Sequence, residues 1–280
     1  MLLVPVSLVA AGCTSDSDDA STTTTEPAAA VGQLTVTASE YAFDLPPTAP
    51  VGATRLTLSN TGEEPHHAQV FKLNADATMD DVGAQLATGD PAALLEVGTF
   101  AGGTGTVNPG ATSAADAVPV LEAGTYAFMC FVEDAEGVPH VAQGMLAPME
   151  VTADPDATTS VETDGDIGLI DFGFRTTADV EGGTYEIVNE GEQPHELNII
   201  RLADGATQDD VLAFFEGEPE GPPNFEPVGG MQALLPGPGG RQALAMDLEA
   251  GSYVFICFIP DFSDGVPHFV KGMIQTVEVS

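Results

Sequence analysis

Apolar and polar residues alternate in short runs along most of the chain. Residues 54–59 read Thr-Arg-Leu-Thr-Leu-Ser, with every second side chain apolar, and Tyr126, Phe128 and Cys130 share one face of another run. This period is typical of strands that bury one face. The runs are interrupted by 31 glycines and 21 prolines, which favour many short strands over long helices. No apolar run is long enough to span a bilayer.

One short helix is predicted in each half of the chain. Thr78 and Thr207 each offer an N-cap hydroxyl, and aspartates follow in the first turn, where the helix dipole favours negative charge. The apolar pairs one turn apart are Val82 with Leu86 and Val211 with Phe215. The expected fold is all-β, with two tandem antiparallel sandwiches that each carry a short inserted helix.

The two halves arise from an internal duplication. The repeated segments are 60–66 with 189–195, 124–131 with 251–258, and 137–145 with 265–273. The offset stays between 127 and 129 residues, so each half is a whole domain rather than one unit of a solenoid. We expect domains at residues 32–153 and 161–280, joined by a polar linker at 154–160.

The N-terminal segment has the pattern of a lipoprotein signal. An apolar stretch ends in Ala-Ala-Gly before Cys13, which resembles a bacterial signal that is cut before the cysteine and acylated there. Residues 1–31 are therefore expected to be a signal peptide and an acidic tether rich in Ser and Thr. The protein would be lipid-anchored on the extracytoplasmic side of the cell envelope. The alternative is an ordinary buried N-terminal cysteine.

The charge of the chain excludes some partners. A net charge of −37 with only six lysines and arginines argues against binding nucleic acid or anionic lipid through the protein surface. We interpret the acidity as a solvated surface, with a docking patch for a basic partner as the alternative.

Two cysteines remain once Cys13 is assigned to the lipid. Cys130 and Cys257 lie one in each half, so a disulfide framework is not expected in this oxidising compartment. A lone thiol in each domain makes metal ligation the obvious candidate role.

Each half presents the same four side chains in the same order: a histidine, a cysteine, a second histidine and a methionine. The candidate ligands are His66, Cys130, His140 and Met145 in the first half and His195, Cys257, His268 and Met273 in the second. Two imidazoles and a thiolate with a distant thioether form the ligand set of blue copper sites. A single buried Cys or His is more often structural, but the repetition of all four favours copper.

Other histidines and methionines are set aside by comparing the halves. The fifth histidine, His67, corresponds to Glu196, and Met149 corresponds to Val277, so neither is expected to be a ligand. We interpret Met129, Met231 and Met246 as core or surface residues.

These motifs resemble the cupredoxin family, to which plastocyanin and azurin belong, over both halves of the chain. The ligand loops are longer than in plastocyanin and, with the pairs Gly144-Met145 and Gly272-Met273, closer to the blue-copper domain of copper nitrite reductases. The resemblance implies two Greek-key sandwiches, one mononuclear type 1 copper in each, and a redox partner that docks at the edge of the loop histidine. The residue after the upstream histidine is often Asn in the family, whereas here it is His67 or Glu196.

The histidine count argues against copper enzymes. Nitrite reductases and multicopper oxidases need further histidines, typically one beside the blue-site cysteine, yet Cys130 and Cys257 are flanked only by Met, Ile and Phe. We therefore expect no enzyme and no small-molecule substrate, but an electron-transfer protein whose redox partner the sequence does not name. The alternatives are copper storage or delivery, and a metal-free cupredoxin-like binding module.

Overall fold

Two β-sandwiches lie side by side in the computed structural model, which describes residues 30–89, 91–176, 180–217, 221–237 and 239–280. The all-β prediction is confirmed. Cys13 and the predicted signal lie outside these ranges, so the lipoprotein assignment stays a prediction. No helix within these ranges is long and apolar enough to cross a membrane.

The first sandwich packs a sheet in the order β2-β1-β4-β7 against a sheet in the order β6-β5-β9-β10-β3, with β8 beside the start of β4. Its strands are β1 (Gly32–Ser39), β2 (Ala42–Asp44), β3 (Thr48–Pro50), β4 (Gly52–Asn60), β5 (His66–Leu73), β6 (Gly98–Val107), β7 (Ala115–Val118), β8 (Val120–Leu121), β9 (Gly124–Met129) and β10 (Leu146–Thr152). Helix α1 (Met79–Leu86) and a 3₁₀ helix (Pro91–Glu96) follow β5, and a second 3₁₀ helix (His140–Gln143) precedes β10.

The second sandwich repeats this arrangement with sheets β12-β11-β13-β16 and β15-β14-β17-β18. Its elements are β11 (Gly165–Ile170), β12 (Gly173–Thr176), β13 (Gly183–Asn189), β14 (His195–Leu202), α2 (Gln208–Phe215), β15 (Phe225–Leu234), β16 (Arg241–Met246), β17 (Gly251–Ile256) and β18 (Ile274–Val279). In the first half the chain crosses between the sheets from β4 to β5 and from β6 to β7, and in the second from β13 to β14 and from β15 to β16. Most neighbouring strands are antiparallel, but β1 with β4, β3 with β10 and β11 with β13 are parallel, so the prediction of purely antiparallel sandwiches is wrong.

The predicted helices begin where their caps place them. The Asp81 carboxylate accepts a hydrogen bond from Thr78 N at 2.9 Å, and Asp210 accepts one from Thr207 N at 2.7 Å. Each helix therefore starts with a capping box.

Strand β9 shows why the alternating pattern identifies strands. Tyr126, Phe128 and Cys130 enter the core between the two sheets, whereas Ala127 and Met129 pack on the other face, beneath α1. The methionines that we set aside as ligands, Met129, Met149, Met231 and Met246, are all buried.

Both sheets continue across the boundary between the halves. Strand β6 pairs with β15 and β7 pairs with β16, both antiparallel, with Thr104 opposite Met231 and Ala117 opposite Leu244. In each pair the two residues are equivalents in the duplication, so the halves are related by an approximate two-fold axis. Ala117 also packs in the hydrophobic core of the second sandwich.

Polar contacts support this interface. Arg55 Nε lies 2.8 Å from Asp116 Oδ2 within the first half, and its Nη2 lies 2.5 Å from Asp247 Oδ2 of the second. The Gln69 side chain accepts a hydrogen bond from Ala233 N at 3.2 Å. The two halves are therefore joined by backbone pairing, apolar packing, a side-chain hydrogen bond and an ion pair.

Candidate metal centres

Four elements bring the candidate ligands of the first half to one end of the sandwich. His66 is the first residue of β5, Cys130 follows the last residue of β9, and His140 begins the 3₁₀ helix of the loop to β10. Met145 is the residue before β10. His66 is therefore held at the start of a strand, and the other three residues lie on the loop between β9 and β10. Pairing of β9 with β10 fixes both ends of this loop.

The three strongest donors of the first half converge. His66 Nδ1 and His140 Nδ1 are 3.0 Å apart, and Cys130 Sγ lies 3.5 Å from His140 Nδ1 and 3.9 Å from His66 Nδ1. All three side chains are fully buried. Since metal–N and metal–S bonds of about 2.0–2.3 Å place the donors of one ion about 3–4 Å apart, this geometry fits a single metal ion.

The second half builds the same centre from its own residues. His195 Nδ1 and His268 Nδ1 are 3.1 Å apart, and Cys257 Sγ lies 3.5 Å from His268 Nδ1. These donor atoms, like those of the first half, all lie within 4.8 Å of one another. Among the described residues, these two groups are the ones whose donors could hold a metal ion.

The methionines are held beside the cysteines by the backbone of the ligand loops. Met145 N donates to His140 O at 3.0 Å, and Cys130 N donates to Met145 O at 3.4 Å. The corresponding bonds of Met273 and Cys257 measure 2.9 and 3.1 Å. Each methionine side chain is fully buried in the same apolar cluster as its cysteine.

Burial sets the protonation of the metal-free centres. It lowers the pKa of His66, His195 and His268, the last to about 4, and it raises the pKa of the Cys130 thiol to about 11. These three imidazoles are therefore neutral at pH 7, which is the form that binds metal. The thiol is protonated there and must lose its proton when it ligates a metal ion.

The residue after each upstream histidine supports the cysteine from behind. His67 Nε2 accepts a hydrogen bond from Phe131 N at 2.8 Å, and Glu196 Oε1 accepts one from Phe258 N at the same distance. Both side chains are buried away from the ligand cluster. The two unlike residues therefore make the same contact, one that fixes the residue after the cysteine.

An acid and an aromatic residue at the tip of the first hairpin form the outer wall of each centre. In the first half, Glu40 Oε1 lies 3.4 Å from His66 Nε2, and the Tyr41 ring lies 5.0 Å from that of His140. The Tyr41 hydroxyl donates to Glu64 Oε2 at 3.2 Å, and this same oxygen lies 3.2 Å from His140 Nε2. The His140 nitrogen nevertheless has no aligned hydrogen-bond partner among the described residues.

The second half has the same wall with different side chains. Asp171 Oδ1 lies 2.5 Å from His195 Nε2, and the Phe172 ring lies 4.8 Å from that of His268. Lys271 Nζ lies 5.1 Å from the centre of the Phe172 ring. His140 and His268 are both fully buried. The docking of a redox partner beside these histidines stays a prediction.

Sequence reasoning missed these wall residues. Their signal is an acid followed by an aromatic residue in the turn after the first strand of each half, Glu40-Tyr41 and Asp171-Phe172. The pair lies outside the repeated segments that define the duplication and contains no residue type typical of copper ligands. Only strand pairing shows that it reaches the histidines.

The strand order of each sandwich decides the fold. One candidate ligand lies at a strand start, and the others lie on the loop between the last two strands. Both halves have the cupredoxin fold. No protein-family model matches the chain, and no curated protein matches it.

Among solved structures, the chain is similar to auracyanins, to copper nitrite reductases and to multicopper oxidases. A reduced auracyanin from Roseiflexus castenholzii is 22% identical, with a TM-score of 0.30, and the match covers 44% of this chain and 98% of that one. A copper nitrite reductase from Nitrosomonas europaea is 12% identical, with a TM-score of 0.25, over 90% of this chain and 94% of that one. A multicopper oxidase is 14% identical, with a TM-score of 0.23, over 89% and 88%.

The two candidate centres lie at opposite ends of the central strand pair. His66 pairs with Val107, which lies opposite Val228, whereas His195 pairs with Leu234 at the other end of β15. His66 and His195 are three strands apart across the sheet and six residues apart along the strand direction. Their Cα atoms are therefore separated by roughly 25 Å. Each centre therefore belongs to one domain and faces its own end of the molecule.

Proposed function

We propose that the protein is an electron carrier with one type 1 copper centre in each domain. The observation that carries this proposal is the convergence of two imidazole Nδ1 atoms and a thiol in both domains, each beside a buried methionine. Bound there, copper would supply a one-electron couple between Cu(I) and Cu(II). The candidate ligands are His66, Cys130, His140 and Met145, and His195, Cys257, His268 and Met273.

The chain contributes rigidity to this reaction. Each upstream histidine sits at the start of a paired strand, and each cysteine is held by a backbone bond to the methionine and by the neighbouring contact of His67 or Glu196. A site whose ligands cannot rearrange changes little between oxidation states, which favours fast electron transfer. The apolar surroundings exclude water from the centre.

The same geometry favours a carrier over a copper enzyme or a delivery protein. All histidines but His67 belong to the two centres, and His67 binds a backbone amide, so no histidine is left for a second kind of copper site. Tyr41 and Phe172 cover the loop histidines, and this enclosure opposes the open, exchangeable binding that copper delivery requires.

Copper loading tests the proposal. The wild-type protein should bind two copper ions and show the strong visible absorption of thiolate-to-Cu(II) charge transfer. Cys130→Ser should remove one ion and about half of the absorption, and Cys257→Ser should remove the other half. Because an unsatisfied buried hydroxyl can cost about 1–3 kcal/mol, circular dichroism must first show that each variant is folded.

His67→Gln serves as the matched control. It removes the one histidine outside the proposed ligand set, while the glutamine oxygen can still accept the hydrogen bond from Phe131 N, so both ions should stay bound. A folded wild-type protein that binds no copper would overturn the proposal and favour a metal-free binding module. Copper that exchanges within seconds with a chelator would instead favour storage or delivery.

We also propose that Cys13 carries the lipid that anchors the protein outside the cytoplasm. Support comes from the small residues before Cys13 and the polar tether after it. The protein should partition with membranes into detergent, and Cys13→Ala should release it. A soluble wild-type protein that retains Met1 would contradict the anchor without affecting the copper proposal.

A further inference from the structure

The acid at each hairpin tip touches the side of the upstream imidazole that faces away from the cysteine. Glu40 contacts His66 Nε2 at 3.4 Å, and Asp171 contacts His195 Nε2 at 2.5 Å. The other nitrogen of each ring, Nδ1, faces the donor cluster. The acid therefore sits directly behind a candidate metal ligand in both domains.

Only one tautomer of a neutral imidazole suits this position. Nδ1 can bind a metal ion only through its lone pair, so the ring proton must reside on Nε2. A carboxylate that accepts this proton in a hydrogen bond fixes both the tautomer and the orientation of the ring. Asp171 and Glu40 are placed to do this.

We propose that Glu40 and Asp171 are positioning residues, each of which accepts the Nε2–H of its upstream histidine and so presents Nδ1 to the metal ion. This inference rests on the proposed copper function. The carboxylate adds negative charge behind the ligand and so stabilises Cu(II) more than Cu(I), which lowers the reduction potential of the centre.

The two acids hold their histidines unequally. Asp171 uses separate oxygens, Oδ1 for His195 and Oδ2 for the Glu192 amide at 2.9 Å. Glu40 uses its Oε1 for His66 and also for the backbone amides of Glu63 and Glu64. The bond to His66 is therefore longer and shared, so removal of Asp171 should have the larger effect.

The loop histidines are held in a different way. His268 Nε2 has no hydrogen-bond partner among the described residues, and the Phe172 ring packs against its imidazole instead. In the first half Tyr41 packs on His140 in the same manner. At each hairpin tip the acid thus orients one histidine and the aromatic residue covers the other.

The test uses full-length chains in which only one centre remains. Asp171→Asn and Asp171→Ala are made in the Cys130→Ser background, and Glu40→Gln and Glu40→Ala in the Cys257→Ser background. Cu(II) affinity is measured by competition with a chelator, the reduction potential by titration, and the histidine tautomers of the metal-free protein by ¹⁵N NMR.

We expect Asp171→Ala to weaken Cu(II) binding by roughly tenfold or more, as removal of a residue behind a metal-binding histidine typically does, and to raise the population of the Nδ1–H tautomer of His195. Asp171→Asn should raise the reduction potential because it removes the charge while nearly preserving the shape. The Glu40 variants should show smaller changes in the same directions, and Asp171→Glu should restore part of the affinity.

Glu63→Gln and Glu192→Gln are the matched controls. Both residues are exposed acids in the turn whose backbone the hairpin acid contacts. Their substitution removes one negative charge near the centre but leaves the contact between the acid and the imidazole. Unchanged tautomers and potentials in the Asp171 variants, with copper still bound, would overturn the positioning role alone. A wild-type protein without copper affinity would overturn the copper function, while the tautomers would still test the contact.

Discussion

His67 and Glu196 are buried polar residues with the same contact and opposite acid–base character. Each accepts the backbone amide of the residue after the cysteine, so each must keep a lone pair free. Burial lowers the pKa of His67 to about 3 and raises the pKa of Glu196 to about 7. In both cases the fold favours the neutral side chain over the charged one.

The depressed pKa of His67 makes the stability of the metal-free protein depend on pH. The unfolded chain binds a proton at His67 below pH of about 6.5, whereas the folded protein excludes it until about pH 3. Between these values the unfolded chain binds one more proton than the folded protein. This group therefore lowers the free energy of unfolding by about 1.4 kcal/mol for each unit by which the pH is decreased.

His67→Gln should keep the bond to Phe131 N but lose this contribution to the pH dependence. Chemical denaturation of the metal-free wild-type and variant proteins from about pH 7 to pH 4 measures the difference. The variant should gain stability relative to wild type as the pH falls. Parallel pH profiles would show that His67 is not protected from protonation in the folded state.

The ligand loop depends on one glycine at the end of its 3₁₀ helix. Gly144 has φ of 106°, and its counterpart Gly272 has φ of 112°. The turn at Gly144 lets Met145 N bond back to His140 O, which places two candidate ligands at fixed separation. A Cβ atom at Gly144 would meet no atom within 4 Å, so only the backbone conformation requires glycine.

Two glycine-to-alanine variants isolate this conformational requirement. Gly83 lies within α1 and likewise has open space where a methyl group would lie, but its φ is not positive. Gly144→Ala should lower the free energy of unfolding by about 1–2 kcal/mol, because an L-residue is strained at positive φ. Gly83→Ala should raise it by roughly 0.5–1 kcal/mol through helix propensity.

Thermal and chemical unfolding of the two variants give the comparison. In addition, Gly144→Ala should weaken copper binding in the first domain only. Equal effects of the two substitutions would mean that the loop tolerates a side chain at this φ.

Because the sheets are continuous between the halves, we expect the whole molecule to unfold as one unit. Strands β6 and β15 approach so closely that a Cβ atom on Gly105 would overlap the Gly229 carbonyl oxygen. Ala117 of β7 completes the core of the second sandwich. Each half therefore depends on the other to cover its strands and core at this boundary.

Gly105→Ala should force the two halves apart at the central strands. Overpacking of this kind costs typically about 1–3 kcal/mol, and here it also weakens the coupling between the halves. In calorimetry of the metal-free protein, we expect one transition for wild type and a lower or divided transition for the variant. An unchanged profile would mean that the interface yields without cost.

The sequence by itself determined the features that depend on neighbours along the chain. Alternation identified the strand that leads into Cys130, and the capping residues Thr78 and Thr207 located both helices, because these signals arise within a few residues. The duplication then singled out the side chains that the fold gathers in each half, since two copies of one order are rarely accidental. His67 could be separated from His66 by the same comparison.

Only the tertiary structure decided what lies behind and above those side chains. Glu40 and Asp171 reach the upstream histidines because hairpin tips, distant in sequence, are carried there by strand pairing. The joining of the sheets through β6 and β15 is likewise absent from any local pattern, since any edge strand offers the same backbone groups. The strand with which an edge strand pairs depends on how the surfaces of the two halves fit together, and these surfaces form only as the chain folds.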